Sequence, residues 1–267
     1  MGVQELVHES PVWPGAAAAE PETIALLDVL PQLAEGLTAD ETAAARRAIV
    51  APTLRLARGT WDRTAIAEHA HAPFGAVVVS GLLARHVDIG GYPGLDLHGP
   101  SDLLAAAELR RGTVPCGEIW CATVRSEIAL LDDRFLAAAR RWPRLVSALF
   151  ALMQEQYDRL MLQLVIAEQP RVEDRLLLLF WQLSDRFGKV TPAGIVLRLS
   201  LTHEALGRLI GARRPTVTLA LRMLAERGSL ERRADRSWLL KEWPDELAVT
   251  ATALSTSAEP RPLELAE

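Results

Sequence analysis

Apolar residues along the chain change their spacing twice. From Pro21 to Val50 they recur at helical intervals, as in Ile24, Leu27, Val29, Leu30 and Leu33 and again in Ala43, Ala44 and Ile49, which predicts short helices. After Pro52 the segments become brief. Ala76–Val79, Leu83–Ile89 and Leu95–Leu97 are bounded by glycine or proline, and the second and third alternate apolar with polar positions, as half-buried strands do. Gly81, Gly90-Gly91, Gly94 and Gly99-Pro100 read as turns between them. A stretch rich in Ile, Val, Trp and Thr, Glu118–Leu131, predicts one last strand. Many short strands separated by turn signals predict a small antiparallel β-roll or barrel.

Helical spacing returns at Asp132. Asp132 or Asp133 can cap a short helix through Arg140, and Pro143 suits the first turn of the next, where its missing N–H is no loss. Val146, Phe150, Met153, Tyr157, Leu160, Leu164 and Ala167 then follow the a/d spacing of a coiled-coil seam. A core helix of a single chain would show the same stripe. Three heptads of it, with Gln154, Glu155, Asp158 and Arg159 on the opposite face, favour pairing with a second copy. Pro170 ends this helix, and a further one is expected from Val172 to Arg186, stopping near Gly188.

Residues 201–240 carry the most specific pattern. Thr202 can cap a helix from Glu204 to Ile210, Gly211 allows the left-handed turn that ends it, and Pro215 opens a second helix to Arg227. Leu230–Arg233 and Ser237–Leu240 flank a turn at Ala234-Asp235-Arg236 and read as a hairpin wing. Val217, Ala220, Leu221 and Leu224 can pack inward, which leaves Thr216 and Arg222 for a polar face. This is helix, tight turn, helix and wing.

Charge sharpens that reading. The chain has 29 Lys+Arg against 34 Asp+Glu, a net charge of −5, so it lacks the general basic excess of a non-specific nucleic-acid coater. Residues 201–240 nevertheless hold eight arginines against Glu204, Glu226, Glu231 and Asp235, a local +4 that leaves −9 for the rest. Arg213 and Arg214 stand at the start of the second helix, where a recognition helix enters a major groove.

The run Leu201-Thr202-His203-Glu204-Ala205-Leu206-Gly207-Arg208-Leu209-Ile210-Gly211-Ala212-Arg213-Arg214-Pro215-Thr216-Val217-Thr218-Leu219-Ala220-Leu221, with Leu224 and Gly228, resembles the winged helix of Crp/Fnr-type bacterial transcription regulators. The order of roll, long helix and short helix before it is similar to the same family, so the resemblance covers about residues 24–240. It implies an α+β chain: an N-terminal antiparallel, cyclic-nucleotide-binding-like β-roll, a long dimerisation helix and a C-terminal winged helix-turn-helix. The corresponding domains are a flexible segment at 1–20, a sensor-like roll at 21–140, the dimer helix at 141–169, the DNA-binding domain at 170–245 and a flexible acidic tail at 246–267. The implied partners are double-stranded DNA with a pseudo-palindromic site, a second copy of the chain through Val146, Phe150, Met153, Tyr157, Leu160 and Leu164, and RNA polymerase. Arg214 falls on the family's base-reading arginine, and Thr202, Thr216 and Thr218 on its backbone-contacting region; Arg213 and Arg222 complete the expected DNA-binding set. Pro215 and Leu219 depart from the family's Glu and second Arg, so its best-known operator is not expected here.

The sensor half matches less well. Gly99-Pro100-Ser101-Asp102 resembles the turn before the family's phosphate-binding cassette, but Ala105, Ala106 and Ala107 replace its ribose-binding Gly-Glu, and its Arg-Ser pair falls on Cys116-Gly117. A cyclic phosphate needs a cation and backbone donors in a fixed nest, so control by cyclic AMP is not expected; a cyclic nucleotide or other small-molecule effector is the alternative. Arg110 and Arg111 could supply charge from another place, but a solvated loop pair is the simpler reading.

Two cysteines are too few for a four-thiolate cluster and read as core thiols. His69 and His71 with Glu68 form the one candidate metal clip, and His86 and Cys116 are candidate haem ligands; solvated or structural roles fit them better, so neither a metal nor a cofactor is expected. No Gly-x-Ser-x-Gly, Walker loop, His-Glu-x-x-His or dinucleotide fingerprint appears, which argues against an enzyme. A nucleotide-binding regulatory subunit without DNA binding is disfavoured by the Arg213-Arg214-Pro215 helix start and the wing. With no long apolar run and no basic-then-apolar leader, a cytoplasmic location is expected.

Overall fold

The computed structural model describes residues 22–62, 74–105, 114 and 116–241. The lead-in and tail, the His69/His71 clip and Arg110/Arg111 lie outside the described residues. The chain divides into two compact units: one takes its residues from Met1–Leu83, His98–Arg111 and Trp120–Leu152, the other from Ala84–Leu97, Gly112–Ile119 and Met153–Glu267.

The first unit holds an antiparallel sheet. Its strands are β1 (Thr23–Ala25), β2 (Val50–Leu56), β4 (Ala76–Ser80), β7 (Leu103–Leu104) and β9 (Ser126–Leu130), in the order β1-β2-β9-β4-β7. Thr53 pairs with Ala129 and Val77 with Ala129 across the central strand, so residues distant in sequence meet on β9. Beneath one face, Leu26 of helix α1 (Leu26–Val29), Leu30 just after it, Leu33 of the 3-10 turn Pro31–Ala34 and Ala45 of helix α2 (Ala39–Ala48) pack against Val77, Ala129 and Leu131. On the other face Leu56, Val78, Leu83, Leu104, Trp120 and Ile128 form a second core. Each large apolar side chain so covered contributes about 1.5–3 kcal/mol.

Local signals start the helices. Thr38 and Glu41 form a capping box for α2, the Glu41 N–H donating to Thr38 Oγ1 at 3.3 Å and the Thr38 N–H to Glu41 Oε2 at 2.8 Å. Asp132 is the acceptor that caps helix α3 (Asp133–Ala139), receiving the Phe135 N–H at 2.9 Å. Helix α4 follows as Pro143–Ala167.

Three expectations are corrected. Thr23–Ala25 is a strand paired with β2, not helix, because its backbone completes the edge of the sheet. The single strand expected over Glu118–Leu131 is two, β8 (Gly117–Ala122) and β9, since Thr123 and Ser126 bind the backbone of Leu82 and draw the chain into a turn: the Thr123 N–H donates to Leu82 O at 2.9 Å and the Leu82 N–H to Ser126 Oγ at 3.2 Å. Neither cysteine is a core thiol. Cys116 is exposed just before β8, and Cys121 is half-buried within it, where burial pushes its thiol pKa up.

A further sheet has the order β3 (Gly59–Trp61), β8, β5 (Leu83–Ile89) and β6 (Tyr92–His98). In the turn resembling the start of a cassette, Asp102 is buried and accepts the Gly99 N–H at 2.8 Å, so its carboxylate shapes the loop. Among the described residues no helix is long and apolar enough to cross a membrane.

Candidate nucleic-acid interface

The second unit ends in helix α5 (Val172–Phe187), helix α6 (His203–Ile210), helix α7 (Arg214–Glu226) and a four-stranded sheet. That sheet runs β10 (Gly188–Thr191), β11 (Gly194–Leu197), β13 (Trp238–Leu240), β12 (Leu230–Arg232). Sequence periodicity gave no notice of β10 and β11, each only four residues long, whereas the wing hairpin β12–β13 lies where its turn residues put it.

Helix α6 begins at Thr202, whose hydroxyl accepts the Ala205 N–H at 3.0 Å. It ends at Gly211, whose φ of 67° is the left-handed conformation that glycine adopts without strain. Gly207 has a different reason to be glycine: a Cβ there would lie 2.3 Å from the carbonyl oxygen of Ala212, so only hydrogen lets the turn fold back on the helix. The two terminal carbonyls of α6 are satisfied from other helices. Gln163 Nε2 donates to Leu209 O at 3.1 Å and Arg175 Nη1 to Ile210 O at 3.4 Å.

Helix α7 turns Val217, Ala220, Leu221 and Leu224 into the core and leaves Arg214, Thr216, Thr218, Leu219 and Arg222 exposed. Pro215 sits in the first turn, and Arg213, the residue before the helix, makes no capping bond through its side chain. The outer face therefore begins with two guanidinium groups and continues through hydroxyls to an apolar Leu219, a sequence of donors and methyls suited to phosphates and base edges.

The expected site residues fall as follows. Arg213, Arg214, Thr216, Thr218 and Arg222 gather on or at the start of α7, and Thr202 stands at the start of α6. Arg222 also holds Glu226 one turn on, Nε to Oε1 at 2.8 Å. Thr218 donates its hydroxyl to Arg214 O at 3.0 Å and lies 2.9 Å from His203 Nδ1. On α4, Phe150, Met153, Tyr157, Leu160 and Leu164 are exposed, while Val146 is half-buried against the core of the first unit.

Several residues were not singled out from the sequence. His203 is bonded to Thr218 of helix α7, a contact that no local pattern in the sequence announces. At the wing tip Arg236 adopts a φ of 65°. Ser237 bonds Asp235 through its hydroxyl at 2.5 Å and its N–H at 2.9 Å, which, with Arg233 and Arg198 nearby, holds the Asp235 carboxyl below the usual range. Arg232 stacks on the Trp238 ring, 4.1 Å from its centroid. Arg208 bridges Glu204, at 2.6 Å, and His86 Nδ1 of β5, at 3.1 Å. His86 is thus engaged and Cys116 is exposed, so neither offers the apolar pocket expected of a haem ligand.

Residues 171–245 match the family model described as the Crp-like helix-turn-helix domain. This segment is a Crp-like helix-turn-helix domain. Beyond it, solved structures share the fold over most of the chain. A cyclic nucleotide-binding domain containing protein from Listeria monocytogenes EGD-e is 16% identical with a TM-score of 0.59, over 81% of this chain and 98% of its own. A CooA mutant from Carboxydothermus hydrogenoformans is 18% identical with a TM-score of 0.54, over 75% and 88%. FixK2 from Bradyrhizobium japonicum is 17% identical with a TM-score of 0.54, over 74% and 96%. No curated protein is similar enough in sequence to count as a relative. The chain thus carries a Crp-like helix-turn-helix domain within an α+β fold shared with these structures.

Proposed function

We propose that this chain is a sequence-specific DNA-binding transcription regulator that acts as a homodimer. The observation that carries the reading is the outer face of α7: inside the Crp-like domain, Arg213, Arg214, Thr216, Thr218 and Leu219 stand uncovered on a helix whose opposite face is buried. In this reading α7 enters a major groove, Arg214 reads guanine, Thr202, Thr216 and Thr218 meet the backbone, and the wing lies against the flanking phosphates.

The partner of α4 is a second copy, on the strength of its exposed apolar row. Two recognition helices related by a twofold axis then read a pseudo-palindromic site with half-sites about 34 Å apart, one helical turn. RNA polymerase and a cytoplasmic setting accompany this role, and the reading assigns the chain no catalytic step. Control by cyclic AMP is not part of it: Ala105 and the exposed Cys116 with Gly117 stand where the family carries ribose and phosphate ligands, and none of them supplies charge. Selection of bound sites from random DNA tests the proposal. The expected outcome is an inverted repeat bound with a steep salt dependence; recovery of no preferred sequence would overturn it.

A further inference from the structure

One end of the strand pair β2–β9 gathers positive charge that DNA binding does not use. In that antiparallel ladder Arg55 lies opposite Glu127 and Leu56 opposite Ser126. Continuing the register past the last pair sets Ala57 and Arg58, which follow β2, beside Val124 and Arg125, which lead into β9. Arg55, Leu56, Ala57, Arg58 and Arg125 line a cavity of about 360 Å³ there, within the range of small-molecule sites, roughly 300–1,000 Å³. None of the five belongs to residues 99–117, where the resemblance puts the family's phosphate-binding cassette.

The three arginines differ in what they hold. Arg55 is engaged by Glu22 and, at 3.6 Å, by Glu127. Arg58 and Arg125 are exposed, and among the described residues neither makes a hydrogen bond or an ion pair. Two uncompensated guanidinium groups on one cavity repel each other, and an anion between them removes that repulsion. The turn that carries Arg125 is already fixed. Thr123 donates its N–H and its hydroxyl to Leu82 O, both at 2.9 Å, and Ser126 Oγ accepts the Leu82 N–H at 3.2 Å while donating to Val124 O at 2.9 Å. A Cβ on Gly81 would lie 2.6 Å from Ser126 Cα, so glycine lets the two segments close on each other. Little backbone ordering is then left to oppose binding. We propose that Arg58 and Arg125, backed by Arg55, bind a small organic phosphate monoester. At neutral pH such an ester carries about −1.5 to −2, the charge of two guanidinium groups, and each planar fork can donate to two of its oxygens. Leu56 and Ala57 supply apolar lining for the organic part. This site lies in the first unit and stands whether or not α7 binds DNA.

The test is isothermal titration calorimetry on the full-length protein at about pH 7.5 and fixed ionic strength, with glycerol 3-phosphate, inorganic phosphate, succinate and glycerol as probes. Glycerol 3-phosphate should bind once per chain with a submillimolar Kd, and glycerol should not bind. Inorganic phosphate should bind about threefold more weakly, because it leaves the apolar lining unfilled. Arg58→Gln and Arg125→Gln should each weaken the ester about tenfold, the scale of a lost hydrogen bond to a charged group. Both side chains are exposed and unpaired, so the melting temperature of either variant without ligand should match the wild type. Absence of saturable binding by every probe would overturn the proposal, as would ester binding that survives both substitutions. Succinate bound as tightly as the ester would overturn the choice of phosphate, and inorganic phosphate bound as tightly would overturn the organic part.

Discussion

Helices α4 and α7 each leave one face uncovered, and the chemistry of the two faces differs. On α4, Leu145, Leu149 and Leu152 pack into the core of the first unit, but Phe150, Met153, Tyr157, Leu160 and Leu164 are 47–66% exposed. On α7 the buried row is Val217, Ala220, Leu221 and Leu224, and the exposed positions include Arg214, Thr216, Thr218 and Arg222 beside the apolar Leu219 and the acidic Glu226. Water tolerates the second face and disfavours the first. An uncovered apolar row asks for a protein surface of the same kind, which a second copy supplies by symmetry, whereas an uncovered row of arginines and threonines asks for an anion with a regular spacing of acceptors. The same amphipathic principle thus points to two partners.

The largest expected effect comes from making the α4 face resemble the α7 face in polarity. Leu160→Asp places a carboxylate in the middle of the apolar row and should yield monomers by sedimentation at micromolar concentration. Two half-sites could then no longer be engaged together, and affinity for the full site should fall by about 10²-fold or more, the scale on which linked binding exceeds single binding. A variant that sediments as a dimer would remove α4 from the interface.

The converse change strips the charge from α7. Arg214→Ala should cost about 1–3 kcal/mol of discrimination at one base pair of each half-site, the value of a bidentate arginine–guanine contact. Repeating the random-DNA selection with this variant checks it. Base preferences identical to those of the wild type would show that Arg214 does not read the sequence.

The two faces were legible in the sequence because both rest on short-range signals. The stripe on α4 needs only heptad spacing, and the helix-turn-helix needs the Thr202 cap, the Gly211 turn and Pro215, all within fifteen residues. What the sequence hid depends on contacts between distant residues. Strand β9 is central because it pairs with β2 and β4, more than 45 positions earlier, and its separation from β8 is set by Leu82 binding Thr123 and Ser126. Strands β10 and β11 are too short to show a period. His203 and Arg208 looked like ordinary polar residues of an amphipathic helix, since nothing local reveals that one would meet Thr218 and the other His86.

A smaller effect separates reading from attraction along α7. Arg222 lies two turns beyond Arg214, exposed, with its Nε held by Glu226. Arg222→Ala should weaken all DNA sequences alike and lower the slope of log affinity against log salt by about one per half-site. A change in base preference without a change in slope would instead make it a reader.

The smallest effect concerns α6, which lies beneath α7 and is held to β5 by Arg208. Arginine is always the donor, so His86 Nδ1, 3.1 Å from it, must be bare and the ring neutral. Burial, reinforced by the Arg208 charge and opposed by Glu204, lowers the pKa of His86 below its ordinary value. The sign of the consequence follows from linkage. Above about pH 6.5, the ordinary histidine value, the ring is neutral in both folded and unfolded chains and the contact contributes in full. As the pH falls below that value the unfolded chain takes up the proton first, so stability declines until the folded pKa is passed as well. His86→Gln keeps an acceptor for Arg208 and removes the titration. Thermal unfolding of the two proteins should therefore differ little in its pH dependence above neutrality, and between pH 6.5 and pH 5 the wild type should lose more stability than the variant. Parallel curves throughout that interval would show that His86 does not become protonated at the expense of this contact.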